Sequence, residues 1–178
     1  METAILGGGC FWCVEAVFDK LQGVEQAVSG YMGGTAADAN YEAVCSKGTD
    51  HVEVVRVTFD PAVVSYADIL RIFFTVHDPT TLNRQGNDVG PQYRSVIFTQ
   101  TPQQAAIASE VMTEVAALFD DPIVTSIEPA QEFYPAEEYH QGYYDRVGAR
   151  NSYCTFVISP KVNKFRKQFA ARLKPEPA

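Results

Sequence analysis

Between residues 51 and 59 the chain alternates. Glu53, Val55, Val57 and Phe59 fall on one face of an extended segment, and Val52, Val54, Arg56 and Thr58 on the other, which predicts a strand. Glu53 shares its face with three apolar side chains, which leaves it either buried with them or facing solvent at a sheet edge. Residues 4–6 predict a short strand that runs into Gly7, Gly8 and Gly9. Val14, Val17, Phe18 and Leu21 then recur at i, i+3, i+4 and i+7; this predicts a helix stopped by Gly23, with Cys10 at its N-terminus. Residues 24–31 read as a strand ending at Gly33 and Gly34, and residues 41–45 as a short helical turn.

Ser65 followed by Asp68 marks a second helix start, with Ile69, Ile72, Phe73 and Val76 at helical spacing until Asp78-Pro79 stops it. Residues 83–90 form a glycine- and amide-rich loop. A strand is expected over 93–99, and Thr101-Pro102 open a helix striped by Ala108, Val111, Met112, Val115, Ala116 and Phe119. Residues 123–127 predict a further strand, 128–151 an aromatic and polar irregular segment, and 155–158 a last strand before a basic terminal helix. Strands interleaved with helices predict an α/β (α+β) fold, a two-layer sandwich, although periodicity does not give the order of the strands in the sheet. Nothing in the pattern repeats or reads as a linker, so one domain is expected over residues 1–178.

Composition narrows the classes. The chain has 46% hydrophobic and 20% charged residues and no apolar run near the length of a membrane span, so a soluble globular protein is expected. The first six residues carry neither a basic region nor a long apolar stretch; no secretory signal is expected, and a cytoplasmic address is the simplest reading. A net charge of -8 argues against nucleic acid as a partner. Six of the 14 basic residues (Lys161, Lys164, Arg166, Lys167, Arg172 and Lys174) gather near the C-terminus, where a solvated amphipathic helix is a simpler reading than a docking surface for an acidic protein.

The four cysteines, Cys10, Cys13, Cys45 and Cys154, read in a reducing compartment as redox-active, metal-binding or buried thiols rather than structural disulfides. A helix N-terminus favours the thiolate, and that makes Cys10 the candidate nucleophile. Cys13 follows at i+3 on the same side of the helix, within reach of Cys10 as in Cys-x-x-Cys redox pairs. Tetrahedral zinc would want a second pair of ligands, yet Cys45, Cys154, His51, His77 and His140 show no paired spacing, so no metal is expected. Glu53, on its apolar face, is a candidate proton donor with a raised pKa. Phe11, Trp12, Tyr41, Tyr93, Tyr143 and Tyr153 are core aromatics or site residues; periodicity does not separate the two.

A longer pattern does. Gly9-Cys10-Phe11-Trp12, Tyr31-x-Gly33-Gly34, Asn40-Tyr41, His51-Val52-Glu53, Asp78-Pro79-Thr80, Gln85 through Ser95 and Glu138-Tyr139-His140-Gln141-x-Tyr143 follow in order, and together they resemble the A-type peptide methionine sulfoxide reductases. The resemblance implies that Cys10 attacks the sulfur of methionine S-sulfoxide and that Glu53 supplies the proton. Tyr41 and Tyr93 would hydrogen-bond the sulfoxide oxygen, Phe11 and Trp12 would seat the methyl group, and Asp88 would support the site. Tyr143 and Tyr153 match aromatics nearby. A second thiol, Cys13 or Cys154, would resolve the sulfenic acid into a disulfide that thioredoxin reduces. Cys13 stands where most members have glycine, Cys154 matches a recycling cysteine of other members, and Cys45 matches no catalytic position. The resemblance also implies a ferredoxin-like core with a mixed sheet, oxidised proteins and free methionine sulfoxide as substrates, and no metal or organic cofactor; a monomer is the default expectation. Two rivals remain: a general thiol-disulfide oxidoreductase using Cys10 and Cys13, which leaves Glu53, Tyr41 and Tyr93 unexplained, and a silent module that only captures oxidised methionine.

Overall fold

The computed structural model describes residues 1–46, 48–147, 167 and 170–174. Strands β1 (Glu2–Gly7), β2 (Val24–Met32), β3 (Val52–Phe59), β4 (Arg84–Gln85), β5 (Asp88–Val89), β6 (Val96–Thr99), β7 (Ser126–Pro129) and β8 (Tyr134–Pro135) alternate with helices α1 (Phe11–Phe18), α2 (Tyr41–Cys45), α3 (Tyr66–Val76), α4 (Pro102–Ala116) and α5 (Tyr143–Val147). Six strands form one sheet in the order β7-β6-β1-β3-β2-β8. Its centre is antiparallel: β3 pairs with β1 and β2, and β1 with β6. With α1 crossing from β1 to β2 and α3 from β3 to β6, this is the ferredoxin-like βαββαβ arrangement, extended by a parallel β7 and an antiparallel β8.

The alternation read from the sequence sets the two faces. Ala4, Leu6, Val55, Val57, Phe59 and Ile97 point into the main core with α1, α3 and α4. Ile5, Met32, Val52, Val54, Val96 and Phe98 point the other way into a smaller core, against which Ala130 and Phe133 pack. The helix starts follow their caps. Ser65 Oγ accepts from Asp68 N at 3.1 Å, and Thr101 Oγ1 from Gln104 N at 3.1 Å with Pro102 in the first turn.

Several boundaries differ from the sequence expectation. The helix expected to reach Leu21 ends at Phe18, because its last turn tightens into the bonds Lys20 N to Val17 O and Leu21 N to Phe18 O before Gly23 at φ +90°. Tyr93 lies in a 3₁₀ turn opened by Pro91, so that strand begins only at Val96. Val124 N bonds Pro79 O at 2.8 Å, outside the ladder, and the following strand starts at Ser126. The irregular 128–151 stretch holds the two short elements β8 and α5, and the 83–90 loop is a small hairpin of β4 and β5. Tyr153, Cys154 and the strand expected over 155–158 lie outside the described residues.

Candidate active site

The turn after β1 is built for backbone. A Cβ on Gly8 would sit 2.7 Å from a Phe73 ring carbon, and one on Gly9 2.5 Å from Gln85 Cγ, at a φ of +90° that side chains disfavour. The chain thereby passes tight against α3 and the β4-β5 hairpin before α1 starts. Cys10 is the N-cap of α1, its carbonyl accepting from Cys13 N at 3.1 Å.

Another first-turn donor, Phe11 N–H, goes to Glu53 Oε1 at 3.1 Å. Glu53 stands on β3 opposite Tyr31 and is 2% exposed. Burial pushes its carboxyl up to about 8; Phe11 N–H pulls it down, while Asp88 and Cys13 push it further up. At neutral pH Glu53 is therefore a protonated acid. Since Oε1 accepts from Phe11, the geometry assigns its proton to Oε2.

Cys10, Phe11, Trp12, Tyr41, Glu53, Asp88, Tyr93 and Tyr143 line one cavity of about 240 Å³. Burial raises the Tyr41 and Tyr93 hydroxyls above the ordinary phenol range, so both are neutral donors. Tyr41 OH also bonds the thiol of Cys45, one helical turn on. Asp88 comes from β5, at the tip of the hairpin that Gln85 fastens through Asp78 N and Asp78 O, each at 2.7 Å.

Aromatic rings make the opposite wall. The Trp12 indole stacks on Tyr143 with centroids 3.9 Å apart and planes 9° from parallel. Phe11, 1% exposed, meets Tyr31 at 5.7 Å and His140 at 5.1 Å. Trp12 Nε1 donates to His140 Nδ1 at 3.1 Å, which places the hydrogen of the neutral imidazole on Nε2, facing Glu137 Oε2 at 3.8 Å. Burial holds the His140 pKa down.

All the site residues expected from the sequence that lie among the described residues converge here, with one distinction. Cys13, 2% exposed in the first turn of α1, is not among the residues that line the cavity. Sequence reasoning missed three residues. His140 fixes the indole; Glu137 accepts from Tyr31 OH and Tyr41 N, both at 3.1 Å; Glu15 is a buried carboxyl on α1. His140 was visible in the Glu138-Tyr139-His140-Gln141 motif, whereas Glu137 sits in an aperiodic segment that offers no signal. Among the described residues, no group of three or more His, Cys, Asp or Glu is placed to hold a metal ion, and no helix is long and apolar enough to cross a membrane.

A thiol at a helix start, faced by neutral acids and bordered by an apolar recess, suits removal of oxygen from a polar group that carries an apolar substituent: this is the pocket of a thiol-dependent reductase. Comparison with known proteins narrows the class. The family model for peptide methionine sulfoxide reductase matches residues 2–173, and the chain belongs to that family of oxidoreductases. It is 56% identical to the peptide methionine sulfoxide reductase MsrA of Ralstonia nicotianae, over 97% of this chain and 93% of that one. It is 51% identical to the MsrA of Polynucleobacter asymbioticus, over 99% and 93%. Among solved structures, Mxr1 from Saccharomyces cerevisiae in reduced form matches with a TM-score of 0.76 and 34% identity, covering 82% of this chain and 84% of that one.

Proposed function

We propose that the protein reduces the S epimer of methionine sulfoxide, free or within a polypeptide, using two of its own thiols and then thioredoxin. The observation that carries this reading is Glu53, a carboxyl protonated at neutral pH that lines the same cavity as Cys10. A sulfoxide oxygen departs from sulfur only as it gains a proton, so an acid neutral at pH 7 is what the reaction needs. The Cys10 thiolate attacks sulfur, and Glu53 protonates the oxygen while Tyr41 and Tyr93 donate hydrogen bonds to it. Oxygen passes to Cys10, leaving a sulfenic acid and free methionine; two electrons move from Cys10 to the substrate sulfur. Phe11 and Trp12 hold the S-methyl group on their ring faces, with Tyr143 behind the indole. Asp88 raises the Glu53 pKa and so helps to keep the acid protonated.

Cys13 is the resolving thiol we favour. It lies three residues beyond Cys10, in the same first helical turn, and its attack on the sulfenic sulfur expels water and forms a disulfide. The dithiol of thioredoxin then reduces that disulfide to two thiols. Single-turnover reaction with S- and R-methionine sulfoxide, without reductant, tests the scheme. Wild type is expected to form methionine from the S epimer only, losing two thiols, and Cys13→Ser to lose one. Loss of a single thiol in Cys154→Ser instead would transfer the resolving role to Cys154. No methionine from either epimer would leave general disulfide exchange as the reading.

A further inference from the structure

Glu15 is a buried carboxyl that the chemistry above does not use. It lies on α1, one turn beyond Phe11 and Trp12, and is 6% exposed. Its Oε2 accepts from Ser29 Oγ on β2 and its Oε1 from Gly142 N. Burial raises its pKa, and these two donors oppose that rise. Removing such a group from water is unfavourable unless its bonds are made, and here both oxygens have a donor.

The two bonds join three parts of the molecule. Ser29 is already tied to the segment that follows β8: its N–H donates to Gln141 Oε1 at 3.0 Å, while its carbonyl accepts from Gln141 Nε2 and from Ala136 N, both at 2.9 Å. Gly142, at φ +62°, is the bend between the 3₁₀ turn that carries His140 and the helix that opens with Tyr143. Glu15 thus grips Gly142, one of the two residues that separate the side chains fixing Trp12, His140 at its Nε1 and Tyr143 on its face. A further link, Lys20 Nζ just past the end of α1 to Asp145 Oδ1 on α5 at 3.0 Å, is partly exposed and contributes little on its own.

We propose that Glu15 is a positioning residue for methionine sulfoxide reduction: through Ser29 and Gly142 it sets the bend at 142, so that His140 and Tyr143 hold the Trp12 ring in the orientation that forms the methyl recess. The inference rests on the function proposed above. Its primary readout does not, because Trp12 is the only tryptophan of the chain and its fluorescence reports the recess directly. In Glu15→Ala the indole is expected to become more accessible to acrylamide quenching. KM for S-methionine sulfoxide should rise about tenfold with kcat changed far less, the pattern of lost substrate binding.

Glu15→Gln has the same shape. Its amide oxygen can accept from Gly142 N and its NH2 can donate to Ser29 Oγ, so it is expected to restore both quenching and KM to within about twofold of wild type. Should Glu15→Ala fail to fold, Ser29→Ala cuts one of the two bonds and must still increase quenching. A loss of thermal stability in these variants with wild-type quenching and KM would reduce Glu15 to a structural residue and overturn the proposal. Absence of sulfoxide reduction in the wild type would overturn the functional reading alone, leaving the quenching comparison to decide the role of Glu15.

Discussion

At Glu53 function and stability pull in opposite directions. Its carboxyl is raised from 4.5 to about 8 by burial, so between these two pH values the folded protein keeps a proton that the unfolded chain releases. The contribution of Glu53 to stability is therefore fully present below pH 4.5 and lost as pH rises through 8. Glu53→Gln, which cannot ionise, is expected to remove this slope and to gain stability over wild type progressively from pH 5 upward, reaching a few kcal/mol by pH 8, measured by urea denaturation. The same change removes the proton donor. Single-turnover methionine formation should fall by about 10² to 10⁴ and lose the decline above pH 8 that ionisation of the acid imposes on wild type. A Glu53→Gln protein less stable than wild type at pH 8, with its activity intact, would contradict both statements.

Among the elements, those with a strong period were legible and those held by specific contacts were not. The β3 alternation gave both faces of the sheet and put Glu53 on the apolar one, because a strand leaves its side chains no other arrangement; that Glu53 is buried rather than solvent-facing follows from the interior place of β3 in the sheet. Of the stripe read for α4, Ala108, Val111 and Val115 are buried, whereas Met112 is half-buried, Ala116 is exposed and Phe119 lies beyond the end of the helix. By contrast the start of β6 was misplaced by three residues, since Pro91 and the bond Tyr93 N to Gly90 O impose a turn that apolar content does not reveal. The bonds of Glu137 to Tyr31, of His140 to Trp12 and of Glu15 to Gly142 were not legible for the same reason, even though His140 itself stands in a motif: each joins residues far apart in the chain, with no period to announce it. The glycine turn before α1 lies between these cases, visible as composition but explained only by its neighbours. Gly9→Ala forces a side chain to φ +90° and against Gln85, at a cost of about 1–3 kcal/mol. If the turn relieves this strain by shifting Cys10, the single-turnover rate should drop about 10²-fold; urea unfolding together with thiol-consumption kinetics would measure both.

Across the whole molecule, one segment links the face of the sheet remote from the helices to the pocket. After β7 the chain places Ala130 and Phe133 on the smaller core, pairs Tyr134–Pro135 with the β2 edge, and then delivers Glu137, His140 and Tyr143 to the site. Phe133 closes the side of Gly30 that lacks a Cβ, and Arg56 lies over its ring at 4.4 Å. The smaller core and the pocket are thus joined in sequence but fastened separately, Phe133 before β8 and the Gln141 and Glu15 bonds after it. Phe133→Ala should therefore destabilise without disarming. With Phe133 only partly buried, a loss of about 2 kcal/mol is expected, equivalent to a fall in Tm of roughly 4–8 °C for a chain of this size. The KM for S-methionine sulfoxide and the quenching of Trp12 should stay at wild-type values below the transition, because the bonds of Ser29 to Gln141 and Ala136 pin the chain between the deletion and the site. A rise in KM comparable to that of Glu15→Ala would mean that the segment moves as one piece and that the recess is held from the far face of the sheet.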